Sequence, residues 1–88
     1  MVRRELEIKN RLGLHARAAA KFVRCSGQFS CQVTIRRGDT CVDGKSIMGV
    51  LLLAAPQGSA LEIVADGDDE EAAIAALAEL VDARFGED

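Results

Sequence analysis

Gly13-Leu14-His15-Ala16-Arg17 contains the only histidine of the chain and divides a strand pattern from a helix pattern. Upstream, Val2 to Lys9 alternates, with Arg4, Leu6 and Ile8 on one face and Glu5, Glu7 and Lys9 on the other. That is the period of a half-buried strand, ending near Asn10. Downstream, Ala16 to about Cys25 repeats at helical spacing, with Ala19, Phe22, Val23 and Ser26 on one side and Arg17, Lys21 and Arg24 on another. Gly27 is the expected stop. His15 therefore stands at a helix entrance, where unpaired backbone N–H groups and the positive end of the helix dipole stabilise an anion carried on the ring. Arg17 adds a guanidinium able to pair with phosphate oxygens. His15 is thus a candidate phosphorylatable residue; a polar cap without chemistry is the plainer reading of the same five residues.

Working outward, Phe29, Cys31, Val33 and Ile35 alternate with polar residues as a second strand. Arg37-Gly38-Asp39 turns the chain, and Thr40 to Val42 forms a short third strand. Ser46 is placed to cap a helix from Ile47 to about Ala54, which Pro56-Gln57-Gly58-Ser59 terminates. Ala60 to Ala65 is a fourth strand with Leu61, Ile63 and Ala65 inward. Asp66 to Asp69 charge the start of a last helix whose apolar stripe is Ile74, Leu77, Ala78, Val81 and Phe85. The acidic tail Glu87-Asp88 is expected to fray. The order β-α-β-β-α-β-α predicts an α+β fold, one sheet covered by helices on one face and wet on the other.

Eighty-eight residues suffice for one domain, residues 1–88, with a single core. Three phenylalanines, no tyrosine or tryptophan and a net charge of -3 remove the usual apparatus for binding nucleic acid. The longest apolar run, Val50 to Pro56, is too short to span a bilayer, and the amino terminus leads into alternation rather than a signal core, which places the chain in the cytoplasm. Cys25, Cys31 and Cys41 read as reduced, mostly buried thiols. Their spacing lacks the close ligand pairs of a zinc site, so no metal and no cofactor is expected. Gly44-Lys45-Ser46 invites a phosphate-loop reading, but Gly38 precedes it by one residue too many and the chain has no room for the surrounding parallel sheet.

With this order of elements, Gly13-Leu14-His15-Ala16-Arg17 and Lys45-Ser46-Ile47-Met48-Gly49 together make the chain resemble the HPr family, the histidine-containing phosphocarriers of the bacterial phosphoenolpyruvate-dependent phosphotransferase system. The resemblance covers essentially the whole chain. It implies an open-faced β-sandwich, a four-stranded antiparallel sheet backed by three helices. It also implies a carrier rather than an enzyme: His15 accepts phosphate on Nδ1 from enzyme I and donates it to a histidine of an enzyme IIA, with Arg17 stabilising the group. In the family the serine matching Ser46 is the target of an HPr kinase/phosphorylase, so Ser46 is read both as a helix cap and as a regulatory phosphorylation site.

The docking face for these partners is expected between the two helix openings. Ile47, Met48 and Leu51 supply the apolar centre, because the second helix has more apolar positions than one buried face can use. Ala16, Ala18, Arg17, Lys21 and Arg24 surround it. A monomer that presents one face to successive partners is the expected state. One residue departs from the family: it usually has proline directly after the arginine, where this chain has Ala18. The departure predicts a looser entry to the helix and leaves open the nitrogen-related branch of the system. A Ser46-centred regulatory binding module and a small nucleic-acid or metal-binding domain are the alternatives of other classes.

Overall fold

The computed structural model describes residues 1–87. Alternation along the four apolar stretches yields β1 (Val2–Glu7), β2 (Gln32–Arg37), β3 (Thr40–Asp43) and β4 (Ala60–Asp66). The helical stretches yield α1 (Ala16–Ser26), α2 (Ile47–Leu52) and α3 (Glu70–Asp82), followed by a short 3₁₀ turn, Arg84–Gly86. The strands form one antiparallel sheet in the order β1-β4-β2-β3. Its register aligns the inward side chains in rows across the strands: Leu6 opposite Leu61, Val33 opposite Ala65, and Ile63 opposite Ile35, which in turn faces Val42. Arg4 stands in the same row as Ile63 but at the edge of the sheet, where it is exposed.

The helices cover that face. α1 packs against both α2 and α3, and α3 lies on β1 and β4. Phe22, Phe85, Ile8, Ile35, Leu61, Ile63 and Leu77 are the largest side chains in the shared core. The opposite face is polar, as the alternation predicts: Glu62 takes Arg36 at 3.1 Å and Arg3 at 3.8 Å, which offsets the like charge of Glu5 directly across from it. Such exposed pairs contribute little each, about 0–1 kcal/mol.

Element ends differ from the sequence expectation for identifiable reasons. β1 stops at Glu7 rather than Lys9, although Ile8 still exchanges bonds with the turn before β4: its N–H donates to Ser59 O at 2.9 Å, and Gly58 N–H donates to Ile8 O at 2.7 Å. β2 begins at Gln32 rather than Phe29 because the N–H groups of Ser30 and Cys31 donate to the Asp69 carboxylate, at 2.8 and 2.9 Å, instead of to a neighbouring strand. α2 ends at Leu52 rather than about Ala54. Ala54 has a left-handed φ of 48°, and the Arg37 guanidinium takes the terminal carbonyls, Leu53 O at 2.9 Å and Ala54 O at 3.3 Å. Phe85 lies outside α3, in the 3₁₀ turn, yet is 1% exposed. The thiols are also less uniformly buried than expected. Cys31 is buried, but Cys25 is half-buried and Cys41 is exposed on β3, because position 41 falls on the polar face of the sheet.

Candidate functional site

The loop leading to α1 is shaped by Gly13. Its φ is +71°, and a Cβ there would sit 2.6 Å from Ala55 O and 2.9 Å from Pro56 Cα, so only glycine fits without moving backbone. The close approach lets Leu14 N–H donate to Ala55 O at 2.8 Å, tying the loop to the segment after α2. Asn10, fully buried, braces the loop from inside: its Nδ2 donates to Gly13 O at 2.7 Å.

His15 is the N-cap of α1, with extended backbone (φ -79°, ψ -179°). The Arg17 N–H donates to Nδ1 at 3.3 Å, so this nitrogen faces the helix entrance with its lone pair. The other ring nitrogen, Nε2, lies 2.8 and 3.0 Å from the two carboxylate oxygens of Glu87. With an acceptor on one side and a donor on the other, the neutral ring has its proton on Nε2. No acidic residue occupies the first turn of α1, so the positive end of its dipole is not neutralised by the helix itself. The imidazole is a quarter exposed, 25%, enough to be reached from solvent. Arg17 is exposed beside it.

Glu87 does not fray with the tail, as the sequence alone suggested; Asp88 lies outside the described residues. Besides His15, Glu87 accepts from Asn10 Nδ2 at 2.9 Å. The Asn10 amide, and then the imidazole, hold its carboxyl below the usual carboxylate range. Neither Asn10 nor Glu87 was flagged by the sequence. The signal available was topological: a last helix running back along β1 delivers its end to the start of α1.

Ser46 is the N-cap of α2, as predicted, its Oγ accepting from Gly49 N–H at 3.1 Å. Of the expected docking residues, Ile47 and Met48 are exposed, 44% and 75%, while Leu51 is half-buried against the core. Leu52 (73%) and Leu12 (65%) enlarge the exposed apolar surface and were missed, although Leu52 follows Met48 by one helical turn. Ala16 and Arg24 are exposed. Lys21 is half-buried, with its Nζ committed to Phe85 O at 2.6 Å. Ala18 is a correction: it is 0% exposed on the core side of α1, so it cannot be touched by a docking partner. Among the described residues no three metal-ligating side chains come together.

A family model described as the PTS HPr component phosphorylation site matches residues 2–83. The phosphocarrier protein HPr of Pseudomonas aeruginosa is 52% identical over 84 residues, covering 94% of this chain and 93% of that protein. The solved structure of HPr-C-His from Thermoanaerobacter tengcongensis is similar with a TM-score of 0.96 at 45% identity, over 100% of this chain and 99% of that one. An HPr dimer from the same organism is similar with a TM-score of 0.80 at 48% identity, over 93% and 94%. A helix-capping histidine, an open-faced sandwich and these full-length likenesses agree: the chain belongs to the HPr family, the phosphocarrier proteins of the phosphotransferase system.

Proposed function

We propose that His15 is the residue that carries the phosphoryl group, receiving it on Nδ1 from enzyme I and passing it to the histidine of an enzyme IIA in the cytoplasm. The observation that supports this most directly is the orientation of the ring. Nδ1 has its lone pair towards the N–H groups that begin α1, so the nitrogen that would attack phosphorus is unprotonated and the arriving anion meets donors and dipole. Phosphoryl transfer depends mainly on such positioning and charge, and the carrier needs no general base for this step. Arg17 turns its guanidinium to the phosphate once it is bound. Ile47, Met48, Leu51, Leu52 and Leu12, flanked by Arg17 and Arg24, form the face that successive partners cover.

Ser46 is the second modification site in this reading. Its hydroxyl lies half-buried at the entrance of α2, beside exposed Ile47 and Met48, so a phosphate of charge about minus two would repel an acidic partner from the same face. Regulation through Ser46 is one alternative centre of function, and service in the nitrogen-related branch rather than in sugar uptake, left open by Ala18, is the other. A monomer suits a carrier that shows one face to several partners.

Incubation with enzyme I and phosphoenolpyruvate, followed by intact mass and acid treatment, tests the proposal. The expected result is one acid-labile phosphate that is lost in His15→Ala, while kinase-dependent labelling of Ser46 persists in that variant. Labelling by phosphoenolpyruvate that survives His15→Ala would refute the site. No adduct at all with a competent enzyme I would move the function to Ser46.

A further inference from the structure

We infer that Arg37 is a positioning residue for His15: it caps the end of α2 from the sheet and so fixes the course of the segment on which the loop before His15 rests. The inference rests on the reading of His15 as the phosphate acceptor and adds a residue that acts on it through backbone. α2 closes its last turn with Leu53 N–H donating to Val50 O at 3.2 Å and Ala54 N–H to Leu51 O at 3.1 Å. The carbonyls that follow have no helix to accept from and need donors from elsewhere. Arg37 Nη1 donates to Leu53 O at 2.9 Å and to Ala54 O at 3.3 Å. The next carbonyl, Ala55 O, accepts from Leu14 N–H at 2.8 Å. Consecutive carbonyls thus join the last residue of β2 to the residue before the histidine.

The guanidinium is placed where the backbone between these points is strained. Ala54 has a φ of 48°, a left-handed conformation that costs any residue with a Cβ. Its own side chain is an exposed methyl group that offsets none of this. Leu53 O and Ala54 O belong to the two peptide planes on either side of the Ala54 Cα, so a single nitrogen bonded to both fixes their relative orientation, which is what φ and ψ of Ala54 describe. The direction of Ala55 O follows from it. Leu53 and Ala55 are both buried, so a segment that slipped would also lift apolar side chains from the core. Arg36, one residue earlier, spends its guanidinium on Glu62 across the polar face. Arg37 is left for the helix end because successive strand residues point to opposite faces.

The test measures amide hydrogen exchange in the full chain by NMR, and phosphorylation by enzyme I and phosphoenolpyruvate with the chain at saturating concentration. Arg37→Met keeps the bulk of the side chain and removes its donors. The Leu14 amide should then exchange about tenfold faster, under conditions where Ile63 in the middle of the sheet stays protected. The saturating rate should fall about threefold, because a loosened loop misplaces the ring. Ala54→Gly removes the strain that Arg37 offsets, so the double variant should regain most of the Leu14 protection and of the rate without the guanidinium.

A cap that served stability alone would lower the melting temperature in Arg37→Met, yet leave Leu14 exchange in step with Ile63 and the saturating rate unchanged; either of these two results overturns the inference. So does a double variant that regains the melting temperature but not the protection of Leu14. A wild-type chain that takes no phosphate would refute the carrier reading instead, and Leu14 exchange, recorded without enzyme I, would still decide whether Arg37 holds the loop.

Discussion

The entrances of α1 and α3 begin helices on the same face of the sheet and use their first turns in opposite ways. At α3 the chain satisfies itself: Glu70 and Glu71 place carboxylates in the first turn, and Glu70 Oε1 accepts from Gly67 N–H at 3.1 Å. The cap residue Asp69 turns away to hold the N–H groups of Ser30 and Cys31, and the Ser30 bond is the main reason its carboxyl lies below the usual range. At α1 there is no acidic residue in the first turn, and the cap is a ring whose nitrogen faces the entrance. The entrance of α3 is filled with the chain's own negative charge, whereas the first turn of α1 carries none and is open to an external anion.

The largest effect that breaks this comparison comes from the loop rather than from the histidine. In Gly13→Ala a left-handed φ is imposed on a residue with a Cβ, at a cost of about 1–3 kcal/mol, and the new atom meets the backbone at Ala55 and Pro56, which no rotamer can relieve. Thermal unfolding should show the loss of stability. Phosphoryl transfer should fall further than stability does, because Gly13 O and Leu14 N–H hold the loop that carries His15. A variant that melts at the wild-type temperature and transfers normally would show that the entrance of α1 is not built on this contact.

Making α1 like α3 sharpens the comparison. Ala16 is exposed at the first position of α1, and Ala16→Glu supplies the missing carboxylate. Stability should rise by about 0.3–1 kcal/mol through the dipole. Transfer to His15 should drop about tenfold, since the same carboxylate repels the arriving phosphate at close range. Stability and activity moving in opposite directions, measured by thermal melts and by phosphorylation rates, is the outcome that separates an open entrance from an unoptimised one. A gain or loss in both would dissolve the contrast.

The fold was legible because its strands and helices have clean periods. Leu61, Ile63 and Ala65 alternate inward as expected, and Ala19, Phe22 and Ser26 line the buried side of α1. What stayed hidden depends on contacts between distant parts of the chain. The start of β2 is set by Asp69, the end of α2 by Arg37, and the partner of His15 by a turn of left-handed residues after α3, none of which leaves a periodic trace. The candidate histidine could be read from its place before a helix. Glu87 could not, because an acidic residue near a terminus has the same local signature whether it is solvated or pinned beneath a ring.

The smallest effect concerns the residue that departs from the family. Ala18 is the third residue of α1, and the helical ladder begins one step later, with Ala19 N–H donating to His15 O at 2.8 Å. Proline at 18 therefore removes a donor that the ladder does not use, and its fixed φ suits the first turn. Restriction of the unfolded chain favours the change by about 0.4–1 kcal/mol. Against this, Ala18 is fully buried, so the ring must find space in the core, and Arg17 must keep helical backbone before a proline. These terms nearly cancel, and Ala18→Pro should shift stability by less than about 1 kcal/mol while the bond from Arg17 N–H to Nδ1, and with it the transfer rate, stays within about twofold of the wild type. A several-fold gain in rate would mean that alanine had left the entrance loose. An unchanged rate would mean that Gly13, Asn10 and Glu87 already fix His15 without the proline.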